Sequence, residues 1–308
     1  MHVDTFLRQI GEQLNLYPFR AIFEIDPSAN FAAPSRVAFC RAFEAAMRML
    51  ACTCGCEALQ QQGHEPECPY DRLLNKGRPP VFVLNYPGKS GLQNGRLTVG
   101  FTLIGDSIRY LPFVVLGLNE MQLRWKESKT SILRLLEVAA VCSHAPDGVR
   151  IFTREDGRLD LDSISPLAIE ALEVDGSVSK IIVKFVYPVY MEHNGKISVI
   201  PEFSTLISGL WKRLAELLPT FLSSADIHDV PGFKEALERV RLVRMKLRWR
   251  ANIQAGTDGS SKIGGIVGNA TYAGALNPFL PLLRMGEWIG VDNGSWMDSG
   301  LIRVDRFT

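Results

Sequence analysis

The chain has 308 residues, 46% of them hydrophobic, so it is long enough for two domains of ordinary size, each with its own core. Its formal net charge is only +1, which excludes a uniformly basic protein, and any affinity for a polyanion must come from local clusters of cations. No apolar run reaches the roughly 18–20 residues that a membrane span needs, and the N-terminus lacks a secretory pattern. We therefore expect a cytoplasmic protein with no membrane partner.

The first half of the chain mixes predicted strands and helices. An extended run at 19–25 precedes a helix that begins after Pro34-Ser35 and has one apolar face up to Leu50. Further elements are predicted as strands at 80–84 and 97–103, a helix at 110–123 and a β-hairpin at 149–161.

A cysteine-rich segment follows the first predicted helix. Four of the six cysteines lie within seventeen residues that also hold a histidine: Cys52, Cys54, Cys56, His64 and Cys68. In a reducing cytoplasm, clustered thiols indicate a metal site or free thiols rather than disulfides. Only His64 and Cys68 have a spacing that is typical of zinc ligands. Two interpretations remain, a structural zinc site and a thiol-rich loop without metal.

The second half begins with a similar mixture of elements. The pattern predicts a strand at 179–185, a hairpin that turns at 193–196 and a helix at 203–221. A loop of small polar residues at 254–262 then connects two further strands, 244–250 and 264–272.

Residues 244–250 alternate cations with apolar residues. In a strand, this period of two places four side chains on one face, here called the basic face: Arg244, Lys246, Arg248 and Arg250. The strand has no acidic residue, whereas a solvated sheet face normally interleaves both signs, so the pattern favours a polyanion site. The alternative is ion pairing with acidic residues such as Glu235 and Glu238. Trp249 lies on the opposite face and is predicted to belong to the core.

A faint internal repeat links the two halves. Residues 101–118 and 270–283 both have the order of a strand, a glycine and a Pro-Phe pair that opens an apolar helix. The repeat predicts an α+β protein with two tandem ferredoxin-like (RRM-like) domains. We place the first at 1–175, with the cysteine-rich insertion, and the second at 176–308, with the basic strand and a glycine-rich loop.

Residues 264–304 carry the most specific pattern, which consists of Gly264-Gly265-x-x-Gly268, Thr271-Tyr272-x-Gly274, Pro278-Phe279-Leu-Pro-Leu-Leu, Gly286-Glu287 and a glycine loop. This order resembles the C-terminal domain of the CRISPR-associated endoribonucleases that process precursor crRNA, members of the RAMP superfamily. Weaker similarities extend the resemblance over most of the chain, at 183–188, 247–250 and 105–113.

The resemblance implies a protein of antiviral defence that binds CRISPR repeat RNA and cleaves precursor crRNA to mature crRNA. It implies a metal-independent reaction that needs no cofactor, with attack by the 2′-hydroxyl group. The implied partners are the repeat RNA or crRNA and other CRISPR effector subunits. By this resemblance the glycine loop and the strand after it contact the RNA backbone through Gly290, Gly294, Ser295, Gly300 and Arg303.

Candidate catalytic residues follow from what such a cleavage needs, a base for the 2′-hydroxyl and stabilisation of the developing charge. Many members of the resembled family carry a histidine near the first helix, but residues 26–50 contain none. We therefore expect Arg36 or Arg41 to stabilise charge, with Tyr17 or Lys262 transferring protons. The alternatives are a non-cleaving crRNA-binding subunit of an effector complex and a zinc-stapled interaction protein.

Overall fold

The computed structural model of the chain describes residues 9–10, 13–25, 34–52, 67–74, 81–121, 123–124, 130–131, 133–142, 145–167, 176–193, 196–222, 232–251, 264–291 and 300–307. Two compact units divide the chain, one formed by Leu16–Leu167 and one formed mainly by the residues that follow. Within the described ranges, no helix is long and apolar enough to cross a membrane.

The first unit is an antiparallel sheet with two main helices. Its elements are β1 (Leu16–Ile25), α1 (Arg36–Ala51), α2 (Pro69–Leu74), β2 (Phe82–Asn85), β3 (Leu92–Gln93), β4 (Arg96–Ile104), α3 (Leu111–Glu120), β5 (Leu123–Arg124), β6 (Thr130–Ser131), β7 (Leu133–Cys142) and β8 (Ala145–Thr153). The strand order is β2-β4-β1-β7-β8, with β3 paired to β4. Without β3 and the edge strand β8, this is the ferredoxin-like arrangement, in which the first strand lies between the third and the fourth.

Aromatic side chains fix the first helix on this sheet. The Ser35 hydroxyl accepts a hydrogen bond from the Ala38 amide at 3.1 Å, which caps α1 at the predicted start. Phe39 of α1 meets Phe23 of β1 edge to face, with ring centroids 5.7 Å apart. Because these rings are fully buried, the apolar stripe of α1 is what attaches it to the sheet.

The second unit repeats the same plan. Its elements are β9 (Lys180–Val189), β10 (Glu192–His193), β11 (Lys196–Ile197), α4 (Phe203–Leu217), α5 (Pro219–Leu222), α6 (Phe233–Glu238), β12 (Val240–Ala251), β13 (Gly264–Gly274), α7 (Leu280–Ile289) and β14 (Ile302–Phe307). The strand order β12-β13-β9-β14 is again ferredoxin-like, and all three pairings are antiparallel. The α+β prediction of two tandem ferredoxin-like domains is confirmed.

The core of the second unit lies on one face of its sheet. Tyr272 of β13 is fully buried against Phe203 of α4, with ring centroids 5.2 Å apart, and its hydroxyl donates to the Pro201 carbonyl at 2.7 Å. Burial raises the pKa of Tyr272, so this phenol stays protonated and remains a donor. The helices cover this face, which leaves the other face of the sheet open.

Several predicted boundaries change in the structure. The helix predicted at 110–123 spans only Leu111–Glu120, because Gly105–Tyr110 forms a 3-10 helix before it. The helix predicted at 203–221 ends at Leu217, since Pro219 lacks the N–H needed to continue it. The predicted hairpins are confirmed by the bridge between Phe152 and Leu159 and by the β10–β11 pairing.

The internal repeat is confirmed in its layout but with a different alignment. In both units a glycine of positive φ lies at the end of a strand, Gly105 directly after β4 and Gly274 as the last residue of β13, and a helix starts six residues later after a 3-10 turn. Counted this way, the equivalent of Pro112 is Pro281, the second residue of α7, and Pro278 lies in the 3-10 turn. The alignment of Pro112 with Pro278 was therefore wrong.

Candidate nucleic-acid interface

The basic face lies on an edge strand. Among the described residues β12 pairs with β13 alone, and its four cations, Arg244, Lys246, Arg248 and Arg250, are all exposed. Within the described part of the chain none of them forms an ion pair, so the alternative of pairing with Glu235 and Glu238 of α6 is not observed. Four exposed positive charges on one side of one strand form a surface that favours an anionic ligand.

The pairing register extends this basic face across the sheet. Lys246 lies opposite Asn269 of β13, Asn269 opposite Lys184 of β9, and Lys184 opposite Arg303 of β14. Directly paired residues point to the same side, so these side chains form one row, roughly 14 Å long at about 4.8 Å per strand. Arg303 was predicted as an RNA contact, whereas Lys184 was missed because only the register brings it beside the others.

The open face also carries an acidic residue. The Lys184 ammonium contacts the Asp305 carboxylate of β14, and both side chains are 46% exposed. An ion pair this exposed is screened by solvent and contributes little to stability. Asp305 thus lowers the positive potential at the β14 side of the row, and the strongest potential remains on β12.

Trp249 occupies a different position from the predicted one. Its side chain is 46% exposed and Met245, on the same side of β12, is 47% exposed, so the prediction that Trp249 belongs to the core was wrong. The physical reason is the position of the strand, because an edge strand is covered by the sheet on one side only.

The glycines of β13 serve close backbone approaches. Gly268 has φ +126° at an irregularity in the pairing with β9, and an added Cβ there would lie 2.2 Å from the Lys246 carbonyl oxygen. At Gly265 an added Cβ would lie 2.7 Å from the Val189 backbone. These two positions of the recognised pattern therefore shape the sheet that carries the cations.

Both ends of the predicted glycine loop are tied to the second unit. Gly290, at φ 79°, ends α7, and its N–H donates to the Gly286 carbonyl at 3.1 Å. The Val291 amide donates to the Gly300 carbonyl at 2.9 Å, which closes the base of the loop. Gly294 and Ser295, the other two predicted contacts in this loop, lie outside the described residues.

A buried arginine supports the base of this loop. Arg213 of α4 is fully buried and donates from Nε to the Ile289 carbonyl at 3.1 Å, at the C-terminus of α7, where a cation is favoured. Its Nη1 lies 3.9 Å from the Glu216 carboxylate. Burial raises the pKa of Glu216 and outweighs the opposing attraction of Arg213, so we treat this contact as a weak ion pair.

The predicted catalytic side chains belong to the first unit, except Lys262, which lies outside the described residues. Arg36 is the first residue of α1 and donates to the Leu84 carbonyl of β2 at 3.3 Å. Arg41 is exposed, and it lies about 140° further around the helix than Arg36, at about 100° per residue. Tyr17 is half-buried in β1, opposite Leu103. The two arginines are thus directed to different sides of α1.

Two of the predicted metal ligands can be described. Cys52 follows the last residue of α1, and Cys68 is fully buried, with its Sγ 3.9 Å from the Ala51 carbonyl oxygen. Cys54, Cys56 and His64 lie outside the described residues, and the described part of the chain contains no cluster that could hold a metal. The zinc site stays a prediction.

Comparisons with known proteins find a family similarity in the second unit. Residues 183–295, which run from β9 to beyond α7, match the model of the CRISPR-associated endoribonuclease Cas6, and residues 14–164 match a second model described as an N-terminal domain. An uncharacterized protein of Archaeoglobus fulgidus is 29% identical over 101 residues, which are 32% of this chain and 35% of that protein. The match thus spans about a third of the length of that relative.

Solved structures share the fold of the whole chain. A Cas6 product complex matches with a TM-score of 0.57 and 17% identity, over 94% of this chain and all of the other. Thermus thermophilus Cas6 matches with a TM-score of 0.54 and 16% identity, over 95% and 99% of the two chains. A partial Cas6-RT-Cas1–Cas2 complex matches with a TM-score of 0.56 and 10% identity, over 96% of this chain and 46% of that one. The second unit thus matches the family model of the CRISPR-associated endoribonuclease Cas6, and the chain shares its fold with solved Cas6 structures.

Proposed function

We propose that this protein binds CRISPR repeat RNA on the open face of its second sheet and cleaves precursor crRNA to mature crRNA. The observation that carries the proposal is the basic face of β12, four exposed cations without a described ionic partner. The phosphate groups carry the negative charge of RNA, and their contacts with cationic side chains supply most of the sequence-independent affinity. Solved Cas6 structures of the same fold are named as product and substrate-mimic complexes, which supports RNA as the ligand.

The proposed cleavage proceeds by attack of a 2′-hydroxyl on the adjacent phosphorus, without metal. Arg36 and Arg41 are the proposed stabilisers of the charge that develops on the phosphate, and Tyr17 or Lys262 the proton-transfer groups. Arginine stays protonated at neutral pH, so it contributes charge and orientation rather than base catalysis. We expect slow turnover, because orientation and charge stabilisation then supply most of the acceleration.

The second candidate function is RNA binding without cleavage, by a subunit that retains crRNA in an effector complex with other CRISPR proteins. One observation favours it. Arg36 already donates to the Leu84 carbonyl, so Arg41 is the exposed cation that α1 offers to a substrate. Because α1 contains no histidine, this helix has no ordinary general base to deprotonate a 2′-hydroxyl. The name of one solved relative, a complex with RT, Cas1 and Cas2, makes other CRISPR proteins the partners to test.

Incubation of the purified protein with its cognate repeat RNA in the presence of a chelator tests these alternatives. We expect a discrete cleavage product, as metal-independent chemistry requires. A retarded but uncut RNA favours the binding subunit, and the absence of both a product and a shift rejects RNA as the ligand and leaves the zinc-stapled interaction protein.

Single-turnover cleavage by alanine variants at Arg36, Arg41, Tyr17 and Lys262 tests the catalytic assignment. We expect Arg41→Ala to lower the rate by about 100-fold or more, the order of magnitude of a lost charge-stabilising donor. Alanine variants of the five histidines serve as matched controls. Loss of most activity in one of these controls, with the arginine variants still active, would reject the assignment.

A further inference from the structure

Trp249 is held as a half-exposed ring at the outer edge of the second sheet. An added Cβ at Gly264 would lie 2.3 Å from the Nε1 atom of Trp249, 2.6 Å from Cε2 and 2.8 Å from Cζ2. Three similar distances show that the indole lies across this glycine and fills the space that a side chain would take. The ring is therefore supported by backbone on one side, while 46% of the residue remains exposed.

Positive charge and an aromatic ring meet on this strand. Arg248 and Arg250 flank Trp249 in the sequence and point to the opposite side of β12. Since β12 is the edge of the sheet, only its own backbone separates the arginines from the indole, and no strand in the part of the chain that the structure describes pairs with its outer side. A nucleotide has two parts that complement these groups, a phosphate that binds cations and a base that stacks on an aromatic ring.

We propose that Trp249 is a stacking platform for an unpaired base of the RNA strand whose phosphates contact the basic face, an inference that rests on the proposed function. Stacking on an aromatic side chain suits any of the four bases, because each has a π face. An apolar protein segment fits this edge poorly, since it would cover the ring but make no use of the cations on the other side of the strand. Gly264 is then a positioning residue that keeps the indole in place.

A pair of single-stranded probes separates base contacts from phosphate contacts. We would use an oligoadenylate of about 12 nucleotides, within the range of known single-strand sites, and an oligomer of equal length and charge whose residues lack bases. Trp249→Leu should weaken oligoadenylate binding by about 5- to 150-fold, the range for one lost stacked base. The salt dependence of oligoadenylate binding should be the same in the variant and the parent, because no phosphate contact is lost.

Matched variants keep the test specific. Trp249→Phe retains a ring and should lose less affinity than Trp249→Leu, and Val199→Ala, which trims another exposed apolar residue of the second unit, should lose none. Gly264→Ala should weaken oligoadenylate binding in the parent protein and change nothing in the Trp249→Leu background. Equal losses in both backgrounds would reject the positioning role of Gly264.

The outcomes distinguish this inference from the proposed function. If the parent protein binds both oligomers and Trp249→Leu binds oligoadenylate as well as the parent does, the stacking platform is rejected and the basic face stands. If the parent binds neither oligomer at low salt, the proposed RNA face fails, and the platform fails with it. The expected result is that the parent protein binds oligoadenylate more tightly than the base-free oligomer, and that Trp249→Leu and Gly264→Ala reduce this difference whereas Val199→Ala does not.

Discussion

At the scale of single residues, buried polar groups hold the base of the glycine loop in place. Arg213 reaches the last turn of α7, and Glu216 lies beside it on α4 with a pKa that burial raises above its ordinary value of 4.5. The neutral form of Glu216 is therefore favoured by folding. The stability that it contributes is complete below the unfolded pKa and is lost as pH rises through the folded pKa.

Glu216→Gln tests the direction of this pH dependence of stability. Glutamine resembles the neutral acid, so we expect the variant to lose less stability than the parent as pH rises from below the ordinary carboxyl pKa to neutral, and to be at least as stable at neutral pH. Melting temperatures over this range provide the measurement. Glu235→Gln, which changes an exposed acid of α6, is the control and should follow the parent. Parallel curves for the parent and Glu216→Gln would contradict the prediction.

At the scale of elements, β12 has one property that edge strands use against aggregation, since its charged side chains disfavour pairing with another strand. The same charges serve RNA binding in the proposed function. A strand of twelve residues with no acidic side chain is thus protected from strand addition and open to a polyanion.

The double variant Arg244→Ala/Arg248→Ala tests this element. Each lost phosphate contact should weaken RNA binding in a sequence-independent way and reduce the salt slope by about 0.7–0.9. Repeat-RNA affinities measured at several salt concentrations give both quantities. Lys234→Ala, which removes one exposed positive charge from α6, controls for half of the change in net charge. Affinity and slope equal to those of the parent would place the RNA elsewhere on the molecule.

At the scale of the whole molecule, the same solution recurs in both units. Tyr86 donates to the Pro34 carbonyl at 2.6 Å, and Tyr272 donates to the Pro201 carbonyl at 2.7 Å. Each proline lies two residues before the first long helix of its unit, so in both units a buried tyrosine hydroxyl holds the chain in place just before that helix. The cysteine-rich segment, by contrast, has no counterpart in the sequence of the second unit.

The zinc hypothesis belongs to this scale, because it concerns an insertion rather than the shared fold. A structural site made by Cys52, Cys54, Cys56, His64 and Cys68 should be filled, since such metals contribute directly to folding. Elemental analysis of protein purified without a histidine tag should give about one zinc per chain. Less than about one zinc in four chains would leave the segment as a thiol-rich loop.

The sequence by itself determined what depends on local period and local capping. The alternation at 244–250 predicted the basic face, Pro34-Ser35 predicted the start of α1, and the repeated strand, glycine and helix predicted two similar units. These features depend only on residues that are close together in the sequence, so the order of residues is enough to predict them.

Only the tertiary structure decided which residues share the open face and which remain uncovered. Lys184 and Arg303 join Lys246 through the pairing of four strands that are distant in sequence. Trp249 is half exposed because β12 is an edge strand and Gly264 leaves room for its ring. Register and edge position arise from long-range hydrogen bonding and packing, and the alternation within one strand is the same whether that strand lies at the edge or in the centre.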